Sequence, residues 1–279
     1  MPELPEVETV RLKLQDKILN KKIVKIEVLE KKQLIGDIEN ILSQKITQLS
    51  RQGKYLSLHL SNDYFLNIHL KMSGQILYAD NYNKAVYPIT FPHTNTNKMP
   101  CKFTRIIIYF SDKSCLFFND LRKFGWIKIS QKQEKPKGID ILDKKFSLEF
   151  LKSLTAKNNL PVKTFLLDQN KIAGIGNIYA SEILFSARIA PQAKPKSLTP
   201  IQTKKLFQEI IKTIKSGIKH QGASGNDKMY VLPDSSFGGQ QKYFFVYQRE
   251  KQPCRICQTP IKRIKQGGRS TFYCPRCQN

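Results

Sequence analysis

Met1-Pro2-Glu3-Leu4-Pro5-Glu6 opens the chain, and the rest of the sequence is read outward from it. Pro5 suits the first turn of a helix, and Val7, Val10, Leu14 and Ile18 recur at helical spacing. The pattern predicts a helix over about residues 5–19. Removal of Met1, which a small second residue such as Pro2 permits, would leave a secondary amine beside the Glu3 carboxylate. An α-amino group titrates near about 7.7–8, against about 10.4 for a lysine. More of it is therefore unprotonated at neutrality and able to attack an aldehyde carbon, giving an iminium. Glu3 could then move protons. Taken alone, the same residues read more simply as a protected N-terminus and a helix with carboxylates in its first turn.

Beyond the helix the period changes to two. Val24, Ile26 and Val28 alternate, as do Leu56, Leu58 and Leu60, and Leu66, Ile68 and Leu70; Ile106-Ile107-Ile108 and Leu116 to Phe118 follow. Strands dominate to about Ile129, which predicts a β-sandwich or barrel with the first helix laid against it. The stretch after Ser130 is polar, charged and broken by Pro136 and Gly138, as a linker would be. Helical patterns then recur at about 147–156, 161–169, 177–187 and 199–219. From Gly222 to Gln241 no period is visible, as in a mobile loop. The fold class expected is α+β, with a sandwich domain at 1–130, a linker at 131–145, a helical domain at 146–221, a loop at 222–241 and a small terminal module at 242–279.

Lys and Arg number 47 against 22 Asp and Glu, a formal charge of +25 spread along the chain. A distributed excess of this size points to a polyanion, and to nucleic acid rather than membrane, because no basic amphipathic helix stands out. Neither a membrane span nor a signal-peptide core is visible, so a soluble, cytoplasmic protein is expected.

Four of the six cysteines lie in the last 26 residues as Cys254-Arg-Ile-Cys257 and Cys274-Pro-Arg-Cys277, sixteen residues apart. This is the spacing of a four-thiolate zinc site rather than a disulfide framework. Between the pairs, two short strands joined through Gln266-Gly267-Gly268-Arg269 predict a zinc-braced β-hairpin with Arg269 near its tip.

Four further stretches fall in loops. Asn177 follows Gly174-Ile175-Gly176 at a helix start, where its side chain can cap and the backbone amides can face an anion; a plain helix cap and a phosphate contact stand equal there. Asn119-Asp-Leu-Arg-Lys-Phe-Gly125 could insert Phe124 between bases with Arg122 on a vacated edge. An ordinary hairpin with a partly buried Phe is the simpler account. Lys54, in Arg51-Gln-Gly-Lys-Tyr55, and Met72, in His69-Leu-Lys-Met-Ser-Gly74, read as ordinary loop residues.

Together these stretches resemble the formamidopyrimidine-DNA glycosylases of the bacterial MutM type over nearly the full length. The resemblance rests on Met1 to Thr9, Gly53-Lys-Tyr55, Asp120-Leu-Arg-Lys-Phe-Gly125, Leu166-Leu-Asp-Gln169, Ala173 to Glu182 and the terminal cysteines. It implies an N-terminal β-sandwich with a packed helix, a helix–two-turn–helix domain and a zinc-finger β-hairpin holding one zinc ion. Damaged double-stranded DNA would lie between the halves of a monomeric bacterial enzyme, associated with the nucleoid. The implied activity is that of a bifunctional glycosylase and AP lyase, removing 8-oxoguanine and formamidopyrimidines through a Schiff base and then cutting by β,δ-elimination.

By the same resemblance Pro2 is the nucleophile and Glu3 the acid/base. Lys54 is a phosphate ligand and proton donor, and Arg269 the phosphate-binding group of δ-elimination. Met72, Arg122 and Phe124 fill the gap left by a flipped base, and Asn177 and Lys163 face phosphate or site. Asn159 falls where a DNA-contacting Lys is usual, Phe103 where a His is common, and Lys71 where the family often has Gly. Gly222 to Tyr230 correspond to a lesion-recognition loop, of which Gly225-Asn226-Asp227-Lys228 differs from the usual pattern. Two alternatives are an endonuclease VIII-like enzyme for oxidised pyrimidines and a non-catalytic zinc-finger protein. Leu4 and the Arg122-x-Phe124 pair favour the purine enzyme over the first, and a free Pro2 amine would exclude the second.

Overall fold

The apolar spacing after Pro5 produces helix α1 (Leu4–Ile18), started by a reciprocal capping box between Glu3 and Glu6 and followed by Asn20 in the left-handed region. In this computed structural model, which describes residues 2–224 and 230–278, Val7, Val10, Leu14 and Ile18 are buried in one core. Each contributes about 1.5–3 kcal/mol by leaving water. Met1, residues 225–229 and Asn279 lie outside the described residues, and with them the expected methionine removal and the Gly225-Asn226-Asp227-Lys228 stretch of the expected recognition loop.

Strands β1 (Ile23–Val28), β2 (Leu34–Ile35), β3 (Ile46–Gln52), β4 (Tyr55–Leu60), β5 (Phe65–His69), β6 (Gly74–Ala79), β7 (Thr104–Phe110), β8 (Cys115–Asp120) and β9 (Trp126–Ser130) form two sheets. The first runs β1-β7-β8-β6 and the second β2-β9-β5-β4-β3. Leu56, Leu58, Leu66 and Ile68 of one sheet share the core with Ile76, Ile106, Ile108 and Phe118 of the other, the expected sandwich with α1 packed on it. Ile107, Cys115 and Phe117 point to the opposite face, where Tyr87, Phe91 and Met99 cover them. The alternation fails at β1. A bulge between Ile23 and Lys25 leaves Ile23 buried and Val24 exposed, because the extra residue reverses the facing of its neighbour.

The second unit contains α2 (Leu148–Thr155), α3 (Val162–Leu166), α4 (Asn177–Ala187) and α5 (Pro200–Lys219), with a two-strand parallel pairing of β10 (Ile139–Asp140) and β11 (Ile172–Ala173). Ser147 caps α2 by accepting the Phe150 amide, and Leu206, Ile210 and Ile214 form the buried stripe of α5. The terminal hairpin pairs β12 (Lys262–Gln266) with β13 (Arg269–Tyr273) across Gly267 and Gly268, both at positive φ as a two-residue turn requires.

The chain divides into Met1–Lys135 with His220–Gln241, and Pro136–Lys219 with Lys242–Asn279. The stretch read as linker includes β10, which pairs within the second unit. The described part of 222–241 belongs to the first unit, whose cores bury Tyr230, Val231 and Leu232. Polar composition hid those three apolar anchors. Among the described residues, no helix is long and apolar enough to cross a membrane.

Candidate active site

At the start of α1, Pro2 is buried and Glu3 is only 1 % exposed. Glu6 holds this corner together: its Oε2 accepts the Glu3 amide at 2.9 Å and its Oε1 accepts the Ala223 amide at 2.8 Å. Tyr230 donates its hydroxyl to the Glu6 carbonyl at 2.8 Å. Gly222 sits at φ +75°, and a Cβ there would meet the Glu6 carboxyl at 2.8 Å, so the close approach depends on glycine.

Lys54 occupies the β3–β4 turn and is 8 % exposed. The turn is braced from α1: Glu8 accepts Arg51 Nε at 2.9 Å, and Arg51 donates to the Gly53 carbonyl at 3.0 Å. His69 lies beside it between Tyr55 and Trp126, with ring centroids 4.8 and 5.8 Å away. Burial, with the Lys71 and Lys54 charges, pushes its pKa down to about 3. A neutral ring follows, whose Nδ1 accepts the Lys71 amide at 3.0 Å. That bond holds Lys71 in the left-handed region at φ +50°, where a glycine would be less strained.

Met72 and Phe124 are 41 % and 54 % exposed, large apolar side chains presented on loops. The Arg122 guanidinium lies over the Phe124 ring at 4.9 Å. Phe103 is half-buried, with the Lys102 ammonium 5.1 Å from its ring centroid.

In the second unit Lys163 is buried among three elements. It is 1 % exposed, and its ammonium donates to Asn177 Oδ1 at 2.7 Å, to the Ser270 carbonyl at 2.9 Å and to Thr271 Oγ1 at 2.9 Å. Through these bonds Lys163 ties α3, α4 and β13 together. Asn177 is the first helical residue and not the cap, which is Gly176; its amide donates to Ser270 O at 3.0 Å. Asn159 is exposed, and Arg269 is exposed beside the hairpin turn, with no ion pair or side-chain hydrogen bond among the described residues.

The four terminal cysteine sulfurs lie within 4.8 Å of one another, with Cys254–Cys277 at 3.9 Å and Cys257–Cys274 at 3.4 Å. Zinc–sulfur bonds of about 2.3 Å in a tetrahedron place sulfurs roughly 3.8 Å apart, so the cluster fits one structural zinc. The Ile256 and Cys277 amides point at Cys254 and Cys274 sulfurs, at 3.5 and 3.4 Å, and help stabilise the thiolates. Cys115, by contrast, is buried in β8 with its thiol pushed up to about 12 by burial, and is not among the clustered metal-ligating groups of the described residues.

Comparison with known proteins accounts for all three regions. Residues 1–127 match the formamidopyrimidine-DNA glycosylase N-terminal domain, 138–228 the H2TH domain of the same enzymes, and 251–279 the zinc finger found in FPG and IleRS. A formamidopyrimidine-DNA glycosylase of Pelotomaculum thermopropionicum is 37% identical, covering 100% of this chain and 99% of its own. The chain belongs to the formamidopyrimidine-DNA glycosylase family. Among solved relatives, the MutM (Fpg) protein of Thermus thermophilus superposes with a TM-score of 0.86 at 28% identity, covering 99% of this chain and 98% of its own. Lactococcus lactis Fpg bound to Fapy-dG containing DNA superposes at 0.82 with 28% identity, covering 99% and 100%.

As a family member, the chain shows residues that sequence reading passed over. Glu6 was legible only as a first-turn acid, and nothing in its neighbourhood announces Ala223. The Glu8–Arg51 brace joins residues 43 positions apart. Asp120 stood inside a quoted motif, but its partners come from three other segments.

Proposed function

We propose that this chain is a DNA glycosylase and AP lyase of base excision repair, taking oxidised purines out of damaged double-stranded DNA. The observation that carries the reading is the corner at the start of α1. Pro2 precedes a buried Glu3 that is fixed by Glu6, so removal of Met1 would leave an amine beside a held carboxylate at a helix N-terminus. The Lactococcus complex, with Fapy-dG in its DNA, supports the substrate class.

With Met1 removed, the Pro2 nitrogen attacks C1′ of the damaged nucleotide. The glycosidic bond breaks, its electron pair leaves with the base, and the base takes up a proton. Loss of the amine proton and opening of the sugar ring give the iminium, which acidifies C2′. Removing the C2′ proton expels the 3′ phosphate, and a second elimination expels the 5′ phosphate. Glu3 serves as the proton carrier, Lys54 as phosphate ligand and proton donor, and Arg269 as the phosphate group of the second elimination. Met72, Phe124 and the Arg122 guanidinium fill the space of the extruded base, as apolar wedges do when they part a base step. Asn159 offers an amide, not a charge, to the backbone. Zinc, held by Cys254, Cys257, Cys274 and Cys277, supplies folding energy to the hairpin that carries Arg269. We place the protein in the cytoplasm, on the nucleoid, as a monomer.

Borohydride should trap the protein covalently on DNA containing 8-oxoguanine or an abasic site, and an N-terminal extension that turns the Pro2 nitrogen into an amide should abolish trapping. Glu3→Gln should impair excision while leaving DNA affinity largely intact. If N-terminally blocked protein traps and cleaves at the normal rate, a lysine is the nucleophile and the assignment of Pro2 is wrong.

A further inference from the structure

Asp120 ends β8 with 0 % exposure, yet no cation pairs with it among the described residues. Four donors meet its carboxylate instead. Oδ1 accepts Ser73 Oγ–H at 2.5 Å and the Arg122 amide at 3.2 Å, while Oδ2 accepts the Gly125 amide at 2.7 Å and Gln33 Nε2 at 2.9 Å. Ser73 Oγ also accepts the Arg122 amide at 3.0 Å, and Gln33 Nε2 donates to the Gly125 carbonyl at 2.8 Å. The backbone of Asp120 reaches further, donating to Phe103 O at 2.9 Å and accepting Arg105 Nε at 2.9 Å. Gly125 permits the approach, since a Cβ there would stand 3.1 Å from Oδ2 and 2.9 Å from the Phe118 ring.

Burying a carboxylate without a cation is costly, and a hairpin turn alone does not need one. What three of these donors share is position. Ser73 follows Met72, while Arg122 and Gly125 bracket Phe124, so one carboxylate grips the loop of each exposed wedge close to its tip. We propose that Asp120 is a positioning residue that couples the two loops, so that Met72 and the Arg122–Phe124 pair enter the base stack as one preorganised body. The inference rests on the glycosylase reading above. Two independently mobile loops would each have to be ordered at the moment of insertion, and that ordering would oppose base extrusion.

Asp120→Asn tests it, because the amide keeps the volume but offers donors where Gly125 N–H needs an acceptor. Gln33, whose Oε1 has no hydrogen bond, can turn to accept from the new amide, which helps the variant fold. Ser73→Ala is the second variant and removes the hydroxyl that joins the Met72 loop to Asp120 and to the Arg122 amide, leaving the Gly125 and Gln33 contacts in place. Single-turnover excision of 8-oxoguanine from duplex DNA should fall about tenfold or more in Asp120→Asn, and less in Ser73→Ala. In a Phe124→Ala, Met72→Ala background, each substitution should add less than about a twofold loss, because the wedges through which it acts are already gone. A merely structural role predicts losses that multiply in that background; multiplication, or wild-type excision in both variants, overturns the inference. Should Asp120→Asn not fold, the Ser73→Ala cycle decides by the same criteria. Borohydride trapping of the unmodified protein on abasic-site DNA runs alongside: its absence sinks the glycosylase reading and this inference with it, whereas trapping with multiplicative losses sinks this inference alone.

Discussion

Glu6 and Glu182 are both helix carboxylates, 1 % and 4 % exposed, that catch backbone amides from far along the chain, one in each unit. Glu6 divides its oxygens between the Glu3 amide and an amide 217 residues away. Glu182 gives both of its oxygens to three consecutive amides, of Phe245, Val246 and Tyr247, at 2.8, 3.0 and 2.8 Å. Burial raises the Glu182 carboxyl and the three amides pull it back, with burial prevailing. A shared physical device therefore serves different ends. Glu6 aligns two parts of the proposed active site, whereas Glu182 anchors the segment that leads into the zinc hairpin.

If that contrast holds, damage to the second unit should be structural first. Chelating the zinc removes the largest single contribution, about 10 kcal/mol or more in small zinc modules. Hydrogen exchange should show β12 and β13 losing protection while the sandwich strands keep theirs; a sandwich that loosens equally would break the contrast. Next in size, Glu182→Ala orphans three amides at about 1–3 kcal/mol each. Thermal unfolding should show the second unit weakened, with borohydride trapping through Pro2 changed little at temperatures where the unit remains folded.

The first unit should show the reverse balance. Gly222→Ala puts a methyl group against Glu6 at a positive φ, and should cost about 1–3 kcal/mol, with trapping impaired beyond what the stability loss explains. Normal trapping in a destabilised variant would mean that Glu6 is only a strut, like Glu182. The smallest effect concerns pH. His69 is held at about 3 in the fold, against about 6.5 unfolded, so the unfolded chain takes its proton first as pH falls. Its contribution to stability is complete above pH about 6.5 and lost progressively toward about 3, amounting to roughly 1 kcal/mol between pH 7 and 5.5. Glu182, with its carboxyl raised, contributes with the opposite sign above the ordinary carboxylate range. Amide exchange measured strand by strand should place the acid loss in the sandwich, and His69→Asn should flatten it.

Much of this fold is written locally. The cysteine spacing, the period of α1 and the alternation of β4 and β5 each need only a short window, because the geometry of a metal, a helix or a pleat repeats within it. The sequence pattern misplaces Val24, since a one-residue bulge leaves no compositional trace. Lys163 shows a different limit: its position near a helix start is legible, but the direction of its ammonium is set by Ser270 and Thr271, more than 100 residues on. Asp120 could be quoted from the sequence and still not understood, because its meaning lies in Gln33, Ser73 and Gly125 together. For the same reason the cysteines announce their partner atom by atom, while Glu6 does not announce Ala223.

The interleaving of the two units carries a consequence for how the molecule comes into being. Tyr230, Val231 and Leu232 complete the cores of the sandwich, yet they are synthesised after helix α5. On the ribosome the sandwich must wait, unsealed, while α2 to α5 emerge, and the zinc module must wait for Cys277. Domains ordinarily mature one after another from the N-terminus. Here the first unit still lacks Tyr230, Val231 and Leu232 when the second begins to emerge, so the Pro2 corner, although made first, gains its Ala223 and Tyr230 partners only after α5 has been synthesised.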